Sequence, residues 1–281
     1  MKVEVNNFSA GYGGTKVLHN ITFTISKPGI YVVLGKNGAG KTTLFRSMTG
    51  MLPPATGTIK FNGETLNNSR VKIAYLGHKD ALPIGMKVKQ IMEFYGAVEG
   101  ADENEVNNAI DQYNLTDFLG RTYQNLSQGQ RKRVALAKCL IGHKDIYILD
   151  EPTSNLDPRV SADIREFMTS KSNSNIILYS SHNMFEATEI GSQVIAINNG
   201  KLVYFGDISG VDGGNYRIGI RGTGIESAVT EFHKEGRFYI FDLLSASEAA
   251  ELISNLTSKG ARIYEVKDMT NPLERFFDDS N

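Results

Sequence analysis

The sequence predicts an α/β fold. A largely antiparallel β layer lies near the N-terminus, an α/β core is interrupted by a block of helices, and a small α+β appendage closes the chain. Three observations predict it. Short alternating, β-branched runs occupy residues 2–8, 17–25, 58–61 and 71–76. Continuous apolar stretches, Tyr31 to Leu34 and Ile146 to Leu149, have the pattern of strands buried on both faces. The glycine- and aspartate-bearing break "DISGVDGGN" at 207–215 separates a terminal segment with its own strand and helix pattern.

Taken in order, "VLHNITFTI" is the clearest early strand, and Asn62-Gly63 is a turn signal between two others. The early runs together read as one antiparallel layer. Tyr31–Leu34 leads into a glycine-rich loop and a helix ending near Gly50. Residues 84–119 read as helices, "MKVKQIMEFYGAV" and "ENEVNNAIDQYNL". "RKRVALAKCLIG" is a further helix, with Val134, Ala137 and Ile141 on one face and Leu136 and Leu140 beside it. After the strand Ile146–Leu149, Asp157 is placed as the N-cap and Pro158 at the first position of a helix carrying Val160, Ile164, Phe167 and Met168. "IILYSSH" is another buried strand, and "VIAINNGKLVYFG" is a hairpin turning at "NNG". The expected domains are 1–206 and 212–281. In the second, "YRIGI", "RFYIFDL" and "ARIYEV" read as strands, "GIESAVTEFHKEG" and "SASEAAELISNLTSKG" as helices, and "NPLERFF" as a short helix.

Bulk properties narrow the function. The net charge of −1 on 281 residues gives no global attraction to nucleic acid. The single cysteine, Cys139, excludes an intramolecular disulfide and falls in an apolar helix pattern, as a buried thiol in a reducing compartment does. No apolar run reaches the length of a membrane span, and "MKVEVNNFSAGYGG" lacks the apolar core of a signal peptide. The expectation is a cytoplasmic protein; at a membrane, a partner supplies the spans.

The chemistry is concentrated in a few stretches. Gly35-Lys36-Asn37-Gly38-Ala39-Gly40-Lys41-Thr42 fits the phosphate-loop pattern between an apolar strand and a helix. Glycines let successive N–H groups point inward as an anion nest, and the helix start adds its positive dipole end. Lys41 is placed on the β- and γ-phosphates, and the Thr42 hydroxyl on Mg²⁺. "IYILDEPTSNLDP" ends a buried strand in two adjacent acids, Asp150 and Glu151. Standing alone, such a pair is usually a strand end facing water. Beside a phosphate loop, Asp150 suits Mg²⁺ through a metal-bound water, and Glu151 can accept a proton from an attacking water. "LSQGQ", Leu126 to Gln130, fits a helix capping box as well as an anion site. His182 closes "SSH" at a strand end.

In that order, the phosphate loop, "LSQGQ", Asp150-Glu151, Ser154–Asp157 and His182 make residues 1 to about 206 resemble the nucleotide-binding subunits of ABC transporters. The resemblance implies a P-loop NTPase of the ABC ATPase type with a helical subdomain at about 83–144 that docks on a membrane permease. Gly35, Lys36, Asn37, Gly38, Ala39, Gly40, Lys41, Thr42 and Thr43 become the Walker A motif, and Tyr12 the ring that stacks on adenine. Lys41, Glu151 and His182 take the catalytic roles. Mg²⁺ falls to Thr42, Asp150 and His78. Ser127, Gln128, Gly129, Gln130 and Asp157 contact the ATP held by a second subunit in a head-to-tail dimer, expected to be a homodimer.

The implied activity is ATP hydrolysis coupled to transport, by a peripheral protein on the inner face of the cell membrane, with no nucleic-acid partner. The alternative is a soluble ABC ATPase acting in translation or DNA repair. Those carry two fused cassettes or a long coiled-coil insertion, whereas this chain has one P-loop and one signature. Three positions depart from the family pattern: Lys36 stands for a proline, Gln128 for a glycine, and His78 for the glutamine that couples the metal to the membrane partner. An imidazole at that place predicts a more pH-sensitive ATPase. Residues 212–281 carry no motif with chemistry and are expected to support stability or dimerisation, with "MTNPLERFF" resembling the tail of exporter-like members.

Overall fold

The structure is a computed structural model that describes residues 1–77, 82–154, 158–182, 193–208, 216–243, 245–269 and 276–277. The chain forms two compact units, Met1–Ile208 and Ser209–Asn281.

The first unit holds two sheets. One is antiparallel: β1 (Val3–Tyr12) lies between β2 (Thr15–Ile25) and β4 (Thr56–Phe61), with the short β5 (Glu64–Thr65) outside β4. Period-2 burial along β1 and β2 puts Val3, Val5, Leu18, Ile21, Phe23 and Ile25 on an inner face. The other sheet has six strands. β3 (Gly29–Leu34) is central, flanked by β8 (Ile176–Ser181) and β9 (Gln193–Asn198). β7 (Ile146–Asp150) and β6 (Ile73–Leu76) extend it beyond β8, and β10 (Lys201–Asp207) pairs antiparallel outside β9. The β3–β8, β3–β9, β7–β8 and β6–β7 pairings are all parallel. The carboxyl ends of β3, β6, β7 and β8 therefore open on one edge, where ligands of such sheets bind.

Between the sheets runs α1 (Lys41–Met48), whose Leu44, Phe45 and Met48 join Tyr31, Val33, Ile146, Ile148, Ile176 and Leu178 in one core. α5 (Pro158–Ser172) packs on β3 and β8, and its Phe167 meets Tyr147 edge-on at 5.2 Å. α2 (Val88–Glu99), α3 (Glu103–Gln112) and α4 (Gln128–Leu140) pack on one another. At Gly96 a Cβ would sit 2.6 Å from Val106 Cγ2, so this glycine sets how closely α2 approaches α3. Cys139 is fully buried.

In the second unit the strand order is β12 (His233–Glu235), β13 (Phe238–Leu243), β11 (Tyr216–Thr223), β14 (Arg262–Asp268), all antiparallel. A four-residue helix α6 (Ile225–Ala228) and the longer α7 (Ala246–Ser258) complete a β-α-β-β-α-β succession.

Three expectations need correction. Residues 73–76 do not join the antiparallel layer; they pair in parallel with Ile146–Leu149, because alternation identifies a strand but not its partner. The helix expected over 224–236 stops at Ala228. Ile225, Ala228, Val229 and Phe232 do share one core, as helical spacing implies, yet Gly236 at φ 59° turns the chain into the β12–β13 hairpin. The helix read from Arg131 begins at Gln128 and ends at Leu140, leaving Ile141 extended as its C-cap. The expected helix cap Asp157 and most of "NPLERFF" lie outside the described residues.

The β9–β10 turn reaches back to the site edge. Asn199 (φ 47°) and Gly200 (φ 74°) form the two-residue loop, Gly200 N–H donates to Ala39 O at 3.1 Å, and His19 N–H donates to Gly200 O at 2.8 Å. A Cβ at Gly200 would lie 2.0 Å from Val17 O. Gly200→Ala is expected to destabilise the first unit by at least about 2 kcal/mol, read as a lowered Tm of its thermal transition.

Candidate functional site

The site is built where β3 meets α1. After Leu34 the chain turns through Gly35–Gly40, with Ala39 N–H donating to Lys36 O at 3.1 Å and positive φ at Gly38 (84°) and Gly40 (112°). Gly35 is constrained differently: a Cβ there would lie 2.6 Å from Ile197 O. The first helical bond runs from Leu44 N–H to Gly40 O, so the amides of Lys41, Thr42 and Thr43 precede the helical ladder and remain for a ligand. Anionic oxygens fit such a helix start.

Lys41 is only 5% exposed, and its Nζ donates to Gly35 O at 2.7 Å. Burial pulls its pKa below the usual lysine value, while the Glu151 and Asp150 carboxylates push it back up. An anionic ligand would supply the same compensation more directly.

Asp150, at the end of β7, is 1% exposed. Thr42 Oγ1 donates to its Oδ2 at 2.8 Å, and Ser180 Oγ to its Oδ1 at 2.7 Å. Ser180 also accepts the Glu151 N–H at 2.8 Å. Glu151 takes a left-handed φ of 47°, rare for a residue with a Cβ, and its carbonyl accepts from Ser154 Oγ at 2.9 Å. The two neighbouring acids thereby separate: Asp150 is held in the wall of a cavity by two hydroxyls, and Glu151 reaches toward Lys41 and His182 across it. Glu151 Oε1 lies 3.6 Å from Lys41 Nζ and 3.7 Å from His182 Nδ1.

That cavity has a volume of about 1300 Å³ and is lined by Asn37, Gly38, Lys41, Thr42, Asp150, Glu151 and His182, among others. Thr42 and Asp150 present a hydroxyl and a carboxylate side by side. This all-oxygen pair fits Mg²⁺, which keeps most of its other positions for water and phosphate. Among the described residues no cluster of three His, Cys, Asp or Glu side chains forms an all-protein metal cage.

Not every expected residue converges here. Tyr12, at the end of β1, is 45% exposed, and its Oη accepts from Arg46 Nη1 at 3.3 Å. Ser127–Gln130 do not line the cavity. Ser127 caps α4: its Oγ accepts from Gln130 N–H at 3.2 Å, and Gln130 Oε1 accepts from Ser127 N–H at 3.0 Å. A Cβ at Gly129 would meet Val160 Cγ2 at 3.5 Å, ordinary contact, so packing in this chain does not require glycine there. His78 and Asp157 lie outside the described residues. Sequence reasoning missed Ser180, Arg46 and Tyr75. The available signal for Ser180 was a hydroxyl inside the apolar run "IILYSS", two residues before His182.

Comparison with known proteins points to one family. The family model described as ABC transporter matches residues 18–154. The chain is 32% identical over 202 residues to the ABC transporter ATP-binding protein NatA of Bacillus subtilis, covering 68% of this chain and 82% of that protein. A solved ATP-binding subunit of an ABC transporter superposes with a TM-score of 0.69 at 24% identity, covering 75% of this chain and 92% of that one, and shares the fold. The structure of cbiO1 from Clostridium perfringens, described as part of the ABC transporter complex cbiONQ, has a TM-score of 0.60 at 28% identity, covering 73% and 88%.

Removing the Ser180 hydroxyl leaves a buried carboxylate short of one donor and frees the Glu151 amide. Ser180→Ala is expected to lower the rate of ATP hydrolysis roughly tenfold or more and to destabilise the fold by about 1–3 kcal/mol. Steady-state kinetics and denaturant unfolding read the two effects separately.

Proposed function

This chain belongs to the ABC transporter ATP-binding proteins, and from that premise we propose that two copies of it close around two ATP molecules and drive a separate membrane permease. As a family member it binds ATP and hydrolyses it to ADP and phosphate in a transport cycle.

The observation that carries the reading is the approach of Lys41 Nζ and His182 Nδ1 to a single oxygen of Glu151, at 3.6 and 3.7 Å. In the proposed cycle the amides of residues 38–43 and the Lys41 ammonium hold the β- and γ-phosphates and stabilise charge as it develops on them. Thr42 and Asp150 hold Mg²⁺, which neutralises phosphate charge. Glu151 orients the attacking water and takes its proton. His182 donates to the γ-phosphate and positions that water. Tyr12 stacks on the adenine.

The second half of each site comes from the partner copy, through Ser127, Gln128, Gly129, Gln130 and Asp157. Two features support this. The Ser127 segment is separate from the Lys41 cavity, and Gly129 is a glycine that its own chain does not require. ATP then holds the two copies together, and loss of the γ-phosphate releases them. Among the described residues no helix is long and apolar enough to cross a membrane. In this reading the permease supplies the spans, and the ATPase works peripherally on its cytoplasmic face.

Glu151→Gln keeps the binding groups and removes the base. With Mg·ATP it is expected to elute from a sizing column at twice the monomer mass and to hydrolyse ATP at least about 100-fold more slowly than the parent. A monomer at saturating ATP would rule out the sandwich; parental turnover would remove Glu151 from the mechanism. Capture of a polytopic membrane protein by this variant from solubilised native membranes would establish the permease.

A further inference from the structure

Arg46 lies on α1 outside the phosphate-loop pattern, five positions beyond Lys41, or roughly 7.5 Å further along the helix axis. It faces the same cavity as Lys41, Asp150 and Glu151, and so does Tyr75 on β6. Its Nη1 donates to Tyr12 Oη at 3.3 Å. Burial and the nearby Asp150 push the Tyr75 phenol up to about 12, while Arg46 pulls it the other way. Its own pKa is raised, first by the hydrogen bond to Tyr12.

Tyr12 sits next to a turn made of Gly13 (φ 57°) and Gly14 (φ 85°), and the residue is 45% exposed. An exposed aromatic side chain must be immobilised when a ligand stacks on it, and that ordering opposes binding. A planar guanidinium with several fixed donors is suited to holding a phenol in one orientation.

We propose that Arg46 is a positioning residue for ATP, holding the Tyr12 ring in the orientation in which it meets the adenine face. The proposal rests on the reading of Tyr12 as the adenine platform. It predicts an effect on affinity rather than on chemistry, because Arg46 stands well along the helix from the Lys41–Glu151 contact.

The test is a double-mutant cycle on the full chain, read by ATP binding and by steady-state kinetics. Arg46→Met and Tyr12→Phe are each expected to raise the Kd and KM for ATP about three- to tenfold, with kcat at saturating ATP changed less than about twofold. The double variant is expected to be no weaker than the weaker single variant, and Arg46→Lys to recover part of the loss. Additive losses, or an effect of Arg46→Met with none from Tyr12→Phe, would overturn the clamp and leave Arg46 as a bare charge. Tyr12→Ala separates the two layers. If it leaves ATP affinity unchanged, the adenine-platform reading fails and the clamp with it. If it weakens ATP while Arg46→Met does not, the clamp alone fails.

Discussion

A carboxylate with 1% exposure needs compensation from its neighbours, and Asp150 obtains it from two hydroxyls on two different elements. Thr42 belongs to α1 and Ser180 to β8, while Asp150 itself ends β7. Satisfying this one acid fixes the first turn of α1 against the carboxyl ends of the parallel strands. The register of the phosphate loop, the burial of Lys41 and the direction of Glu151 all follow from it. Ser180 does two jobs in that arrangement, because the oxygen that donates to Asp150 also accepts the Glu151 amide. The left-handed turn at Glu151 is held by that bond and by Ser154. Two acids adjacent in sequence thus acquire different environments in one cavity wall: Asp150 is held by two hydroxyls, and Glu151 meets Lys41 and His182.

The same geometry makes the site electrostatically unfinished. Lys41 is buried with its charge only partly compensated, through a carbonyl and the nearby carboxylates. A triphosphate with Mg²⁺ brings both the anion that Lys41 needs and the cation that Thr42 and Asp150 fit. The Ser127 segment is internally satisfied by its capping box, yet that same cap presents a helix start rich in amides to whatever faces it. Under the proposed sandwich, a site divided in this way responds to ATP by association, and a local phosphate contact becomes a large movement.

The legible parts of the sequence were those governed by local rules. Glycines at Gly35, Gly38 and Gly40 between a strand and a helix specify the loop, and Asp150-Glu151 at the end of an apolar run specifies its neighbour. The capping box of Ser127 and Gln130 was equally readable. What escaped depends on which segments come together. Ser180 is an ordinary serine until β8 lies beside β7. The strand at 73–76 shows its alternation but not the sheet it joins. In the second unit Ile225, Ala228, Val229 and Phe232 follow a helical period and do share a core, but the last of them arrives there as part of the hairpin approach. Periodicity reports which residues are buried together, and tertiary pairing decides the backbone that brings them there.

The central claim is that each ATP is shared between the Lys41 cavity of one copy and the Ser127 segment of another. Hydrogen–deuterium exchange on Glu151→Gln, with and without Mg·ATP, addresses it most directly. New protection is expected in two separate stretches, residues 35–45 and residues 126–131, with the second growing as protein concentration rises. Protection confined to residues 35–45 at every concentration would show ATP held by one chain alone and would contradict it.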